Sequence, residues 1–294
     1  MNGPEPPSPP PESDEPVENS EDEYERLVIE DLNYGSYLKI PQLLGLQQLQ
    51  SRPHHHDEMF FIIIHQTTEL WFKEILHEAD LLAECFDKGW LPMALKVLKR
   101  INGVMELLCR QIELLGTLTP REFAGFREAL GTGSGFQSVQ FRAAEFAFGQ
   151  RNPWFFQFFE QREEELNELR RRYESPSIYD HFLAALAKDG KPVPRAALER
   201  DLSKSHAFDQ QVVDLFHGLY SNPESETPWI LICEALLDFD TLWSKWRAVH
   251  ILMVSRTIGT QMGTGGSSGI KFLQSRQPLR FFPELWELRN AKWD

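Results

Sequence analysis

Residues 58–86, EMFFIIIHQTTELWFKEILHEADLLAECF, place apolar side chains at intervals of three and four with polar ones between them. That is the period of a helix with one buried face, and a run this long offers several turns of core. Asp57, just ahead, is of a type that accepts hydrogen bonds from the free N–H groups of a first turn, so it is expected to cap the helix. Phe61 and His65 lie four apart and share a face, an aromatic plate beside an imidazole. Core packing accounts well for Phe61. It accounts less well for His65, a titratable group in the most apolar stretch of the chain.

Downstream, the same spacing predicts a second helix from Met93, after Pro92, to about Leu115, with Gly103 a weak spot inside it. Thr119-Pro120-Arg121-Glu122 is a capping box with proline at the first helical position, and Gly131 supplies a stop. Further helices are expected over 137–148, 161–173, 177–189, 208–220 and 228–258, with a short one over 281–290; 190–205 and 221–227 read as connecting loops. The charged 161–173 stretch suits a solvated face. Strand signals are lacking, so the body is all-α, a helical bundle.

Upstream, His54-His55-His56-Asp57-Glu58 invites a metal assignment. Consecutive imidazoles project in different directions, so a loop ending in a capping aspartate is the simpler account. Farther back, residues 1–23 carry seven of the chain's nineteen prolines and few apolar groups, and are expected to be a disordered acidic tail. Residues 24–294 then form one all-helical domain. The net charge of −14 is uneven: residues 1–30 hold ten acids against Arg26 alone, giving −9 and leaving −5 for the rest. A mildly acidic body excludes a phosphate-tracking surface, and with it nucleic acid as a partner. Cys85, Cys109 and Cys233 lack CxxC spacing and fit a reducing compartment. With neither a signal peptide nor an apolar run of about eighteen residues, no membrane partner is expected and a cytoplasmic location is.

Near the C-terminus, TLWSKWRAVHILMVSRTIGTQMGTGGSSG over 241–269 sets His250 on a helical face with Leu242, Trp243, Trp246, Val249, Met253 and Val254. Such a histidine is either a core residue bonded to a carbonyl or an axial ligand to a flat, apolar metal cofactor, haem. The glycine-rich loop behind it is not a phosphate cradle, because Ile270 follows Gly269 where a P-loop needs lysine, and Ser268 stands where GxGxxG needs its third glycine. It is a bendable, hydroxyl-rich loop able to close over a small ligand. Phe123 and Arg127 repeat the four-residue spacing of Phe61 and His65. Arg127 is either a surface ion-pair partner or a clamp for a substrate carboxylate.

YGSYL at 34–38, HDEMFFIIIHQTTELWFK at 56–73, LTPREFAGFREALGTGSGFQSVQFR at 118–142 and WRAVH at 246–250 leading into IGTQMGTGGSSG at 258–269 resemble, in this order, the tryptophan 2,3-dioxygenase family. The resemblance runs from about Leu32 to Leu285. It implies an all-helical homotetramer enclosing haem b, ferrous when active, that uses O2 to convert L-tryptophan to N-formylkynurenine, the first step of tryptophan catabolism through kynurenine. His250 would be the axial iron ligand. His65 would bond the indole nitrogen, Phe61 would pack on the indole, Arg127 would hold the carboxylate, and Thr264 with a haem propionate would hold the ammonium group. Tyr34 and Tyr37 match residues that reach a neighbouring subunit's pocket, and Ser134 one near the haem. Phe123 stands where some bacterial members carry a tyrosine that helps hold the carboxylate, which leaves Arg127 as chief anchor. Relatives that insert one oxygen into a modified tryptophan, giving an oxindole, share these contacts; a haem-binding sensor or carrier without turnover is the more distant alternative, and it does not require Phe61, His65, Arg127 and Thr264.

Overall fold

The computed structural model describes residues 32–259, 261 and 269–293, and among them there are helices and no strand. The disordered-tail expectation for 1–23 and the assignment of Thr264 lie outside the described residues. Two compact units meet at 48/49. The first holds two short helices, α1 (Tyr34–Tyr37) and α2 (Ile40–Leu44); Asn33 caps α1 by accepting from Ser36 N at 3.0 Å while Ser36 Oγ accepts from Asn33 N at 2.9 Å. Tyr34 and Tyr37 are 77% and 69% exposed, so neither is held in this chain's own core.

The second unit is built on three long helices, α3 (His56–Lys88), α4 (Leu91–Leu115) and, later in the chain, α11 (Pro223–Thr257). The stripe on α4 is regular: Ala94, Val97, Leu98, Ile101, Met105, Leu108, Cys109, Ile112 and Leu115 are all buried. It is wide enough to pack α3 on one side and α11 on the other. Burying each large aliphatic side chain contributes about 1.5–3 kcal/mol, and truncating one such as Leu98 to alanine is expected to cost about 2–5 kcal/mol because a cavity is left. Two polar pins fix the register of α4 on α11: Asn102 Nδ2 donates to the Ala235 carbonyl at 2.9 Å, and Cys109 Sγ to that of Leu242 at 3.5 Å.

Around these lie α5 (Pro120–Arg127), α6 (Val139–Ala147), α7 (Glu163–Glu174), α8 (Ile178–Lys188), α9 (Arg195–Leu198), α10 (Gln210–Tyr220), α12 (Gly269–Arg276) and α13 (Pro283–Glu287). The predicted capping box holds: Glu122 N donates to Thr119 Oγ1 at 3.3 Å, and Glu122 accepts from Thr119 N at 2.8 Å. Gly131, at φ +56°, ends the 3-10 turn that follows α5. On the charged helix α7 only Leu169 is buried, as expected of a solvated face.

Several boundaries differ from the sequence expectation. The cap of α3 is His55, whose Nδ1 accepts from Asp57 N at 3.3 Å, while Asp57 sits in the first turn. There its charge favours the helix N-terminus without capping it. His55 was free for this task because its ring is fixed elsewhere: it packs on Phe126 at 5.7 Å, and a Cβ on Gly125 would collide with it. The last long helix starts at Pro223, so 221–227 is not a loop throughout. Either proline can open a helix. Pro223 does so, and the carbonyl left without a donor by Pro228, that of Glu224, is in an exposed first turn where water serves it. The connecting stretch 190–205 also contains the one-turn helix α9, and Gly269, read as the end of the glycine loop, opens α12.

Candidate active site

Side chains of α3, α4, α6, α11, α12 and the Ser134–Phe136 turn enclose a cavity of about 270 Å³. Its walls are chiefly apolar, with Ile64, Phe72, Leu115, Trp246, Met253 and Phe272 among them. Two histidines face it, His65 from α3 and His250 from α11. The spacing that put each on an apolar face therefore brings both to one chamber.

The His65 ring is oriented by its own helix. Nδ1 lies 2.7 Å from the carbonyl oxygen of Phe61, one turn back. A carbonyl only accepts, so Nδ1 carries the hydrogen and Nε2 keeps a free lone pair. Although the side chain opens onto the cavity, the surrounding apolar walls lower its pKa by desolvation, against a smaller opposing effect of the Phe61 bond. His65 is thus neutral at pH 7 with a fixed tautomer. The Phe61 ring sits 4.0 Å from the imidazole, at 34°.

The His250 ring has no hydrogen bond among the described residues and rests beside Trp246, with ring centroids 5.1 Å apart. Burial, with smaller contributions from His65 and Arg142, lowers its pKa to about 4. A neutral imidazole with an unengaged lone pair is a metal ligand; a protonated one is not. No cluster of three or more His, Cys, Asp or Glu able to hold a bare ion occurs among the described residues. One neutral donor in an apolar chamber fits an iron that arrives already held by four nitrogens in a flat macrocycle, so the residues present fit haem.

The other expected site residues stand around this chamber. Phe61 meets Phe123 and Phe126 at 5.9 and 5.4 Å, which lays α5 against the start of α3. Arg127, the last residue of α5, donates to Gln261 Oε1 at 2.5 Å at the edge of the glycine loop. Phe61 adjoins the cavity through His65, and Phe123 through Phe61; neither of them nor Arg127 is part of its described lining. Ser134 does line it, and its hydroxyl accepts from Phe136 N at 3.3 Å, capping the turn.

Sequence reasoning missed a buried ionic group on the same walls. Glu145 accepts from Arg142 at 2.5 Å and from Arg247 at 3.0 Å, and Arg247 also donates to Gln150 Oε1 at 2.6 Å. Burial alone would raise the Glu145 pKa, but the arginines outweigh it and hold the carboxyl below its ordinary value. Its trace in the sequence is a charge pair three residues apart, Arg142 and Glu145, inside the otherwise apolar run from Phe141 to Phe148.

A family model described as tryptophan 2,3-dioxygenase matches residues 19–172 and 205–291. The chain is 43% identical over 278 residues to a tryptophan 2,3-dioxygenase of Arthrobacter sp. (strain FB24), covering 93% of this chain and 98% of that one. It is 41% identical over 257 residues to one of Myxococcus xanthus, covering 87% and 88%, and 42% identical over 260 residues to one of Xanthomonas euvesicatoria, covering 88% and 87%. The chain belongs to the tryptophan 2,3-dioxygenase family. Every residue lining the cavity falls within the two stretches matched by the family. The stretch between them carries α8 and α9, and neither contributes to the lining.

Proposed function

We propose that this protein is a haem-dependent dioxygenase that cleaves the indole C2–C3 bond of L-tryptophan and places one atom of O2 on each of the two carbons, giving N-formylkynurenine. The observation that carries this reading is the pair of neutral histidines on one apolar chamber, His65 with Nε2 free to accept and His250 free to bind a metal. His250 would hold the iron of haem b, and the haem, when bound, supplies the activation of O2. Because both oxygens end in the product, the reaction balances without an outside reductant.

The chain's own residues bind and orient the substrate. An indole N–H meets His65 Nε2, which already lacks a proton, so nothing has to be displaced there when the ring binds. Phe61 and Phe123 flank the indole with apolar surface and keep water from it. Phe123 offers no hydroxyl, so the carboxylate depends on Arg127, where it would take the place now held by the Gln261 amide oxygen. A carboxylate is the stronger acceptor for a guanidinium, worth about 1.5–3 kcal/mol against roughly 1 kcal/mol for a neutral bond. Thr264 would hold the ammonium group as the glycine loop closes, and Ser134 borders the haem. We further propose a cytoplasmic homotetramer in which the exposed Tyr34 and Tyr37 complete a neighbouring subunit's pocket. No described helix is long and apolar enough to cross a membrane.

The test is to incubate the reduced, haem-loaded protein with tryptophan under isotopically labelled O2 and weigh the product. N-formylkynurenine carrying two labelled oxygens is expected. A product with one added oxygen overturns the dioxygenase reading, and no product overturns the enzymatic one.

A further inference from the structure

Three guanidiniums line one corner of the cavity and share one carboxylate. Arg142 and Arg247 are each 5% exposed and Glu145, which pairs with both, 1%; Arg276 Nη2 lies 3.8 Å from the same carboxylate. Arg247 is committed elsewhere as well, to Gln150 and to the Leu279 carbonyl at 3.1 Å. Arg142 Nε and Arg276 Nε are different: both are buried, and neither has a hydrogen-bond partner among the described residues. The Arg142 guanidinium is also held in place, its carbon 3.7 Å from the centre of the Phe155 ring.

The remaining acids nearby do not make up the balance. Glu69, the other carboxylate lining the cavity, forms no ion pair with these arginines among the described residues. Asp240, which acts on Arg247 through space, accepts on Oδ2 from the N–H groups of Phe281, Phe282 and Trp286, and although its Oδ1 is buried without a partner it forms no ion pair with the three arginines among the described residues. A cluster with more cations than anions on the wall of a cavity favours the entry of an anion that can accept from the guanidiniums lining it. Planar guanidiniums match a carboxylate best.

We propose that Arg142 and Arg276 form a carboxylate-binding corner inside the cavity. Arg247 ties the corner to the iron site, since it precedes His250 by one turn on α11. Two molecules expected in the chamber carry carboxylates, haem on its edge and the amino-acid substrate on its backbone. The proposal rests on the haem reading for the first of these.

The experiment titrates the haem-free full-length chain with haemin and with haemin dimethyl ester, read by visible absorption, and repeats this with Arg276→Gln and Arg142→Gln. Arg276 is the less buried of the pair, so its variant keeps the test open if Arg142→Gln fails to fold. Haemin is expected to bind the wild type about tenfold more tightly than the ester, and the variants to lose most of that difference with ester affinity unchanged. A second arm compares tryptophan with tryptamine, which lacks the carboxylate, by the spectral change each causes in the haem-loaded protein. Preference for tryptophan that falls in Arg276→Gln, with haemin and ester bound alike, assigns the corner to the substrate. Because Arg127 by itself favours tryptophan over tryptamine, the corner is overturned, with the haem reading left standing, when haemin and ester bind alike and neither variant alters the preference for tryptophan. Failure of the wild type to bind either form of haemin overturns the haem reading and this proposal together.

Discussion

His65 and His250 face one cavity and are both kept neutral by burial, yet their second nitrogens are treated in opposite ways. His65 spends Nδ1 on the Phe61 carbonyl 2.7 Å away, which fixes Nε2 as an acceptor; His250 spends neither nitrogen on any described residue. The same side chain in the same medium thereby presents a fixed hydrogen-bond acceptor on one wall and an unengaged ring, the proposed iron ligand, on the other. What assigns the task is the partner of the nitrogen that does not act.

The largest expected effect comes from removing the open ligand. His250→Ala is expected to lose haem and turnover together; a variant that kept a normal haem spectrum and full turnover would erase the distinction between the two walls. His65→Ala should retain haem but lower kcat/KM for tryptophan by about 10–100-fold, the loss of one oriented hydrogen bond and of its supporting surface. The neutral form of His65 is the working one and its pKa is lowered from 6.5, so kcat/KM should stay level above pH 6.5 and begin to fall only below it. An acid limb centred above 6.5 would mean that the fixed acceptor is not His65.

Arg127→Ala probes what lies outside the chamber proper. It should raise KM for tryptophan about tenfold or more with the haem spectrum unaltered, and an unchanged KM would remove its carboxylate role. Smallest is Gly125→Ala, which forces the His55 ring away from α5. A loss of about 1–3 kcal/mol, seen as a drop in Tm of several degrees, is expected, with haem binding intact. No change in Tm would mean that the His55 ring yields freely.

Much of this was legible in the chain before any coordinates. The helices of the core declare themselves by spacing, because an apolar side chain every three or four residues has one way to be buried. Phe61 and His65, four apart, indeed meet. Two prolines five residues apart, Pro223 and Pro228, were ambiguous because both satisfy a helix start locally and only the exposure of Glu224 separates them. His55 was overlooked as a cap because its capping geometry depends on Phe126 and Gly125, far along the chain. The arginine corner was hidden for the same reason: Glu145 and Arg247 are 102 residues apart, and nothing in either local pattern shows that they pair. Arg127's tie to Gln261 spans 134 residues and was equally out of reach.

The two pins between α4 and α11 fall at Ala235 and Leu242, and His250 lies eight residues past the second. At a rise of 1.5 Å per residue that is about 12 Å of helix beyond its last polar tie to α4, an arm steadied by Trp246 packing on Phe72 and Phe141 and by the bonds of Gln277 and Arg280 to Ser244. Arg247 is the brace under that arm, reaching across to Glu145, Gln150 and the Leu279 carbonyl. Cutting the brace would leave His250 chemically untouched and less firmly held, so the stiffness behind the proposed iron ligand is set by a residue that has no need to be a ligand itself.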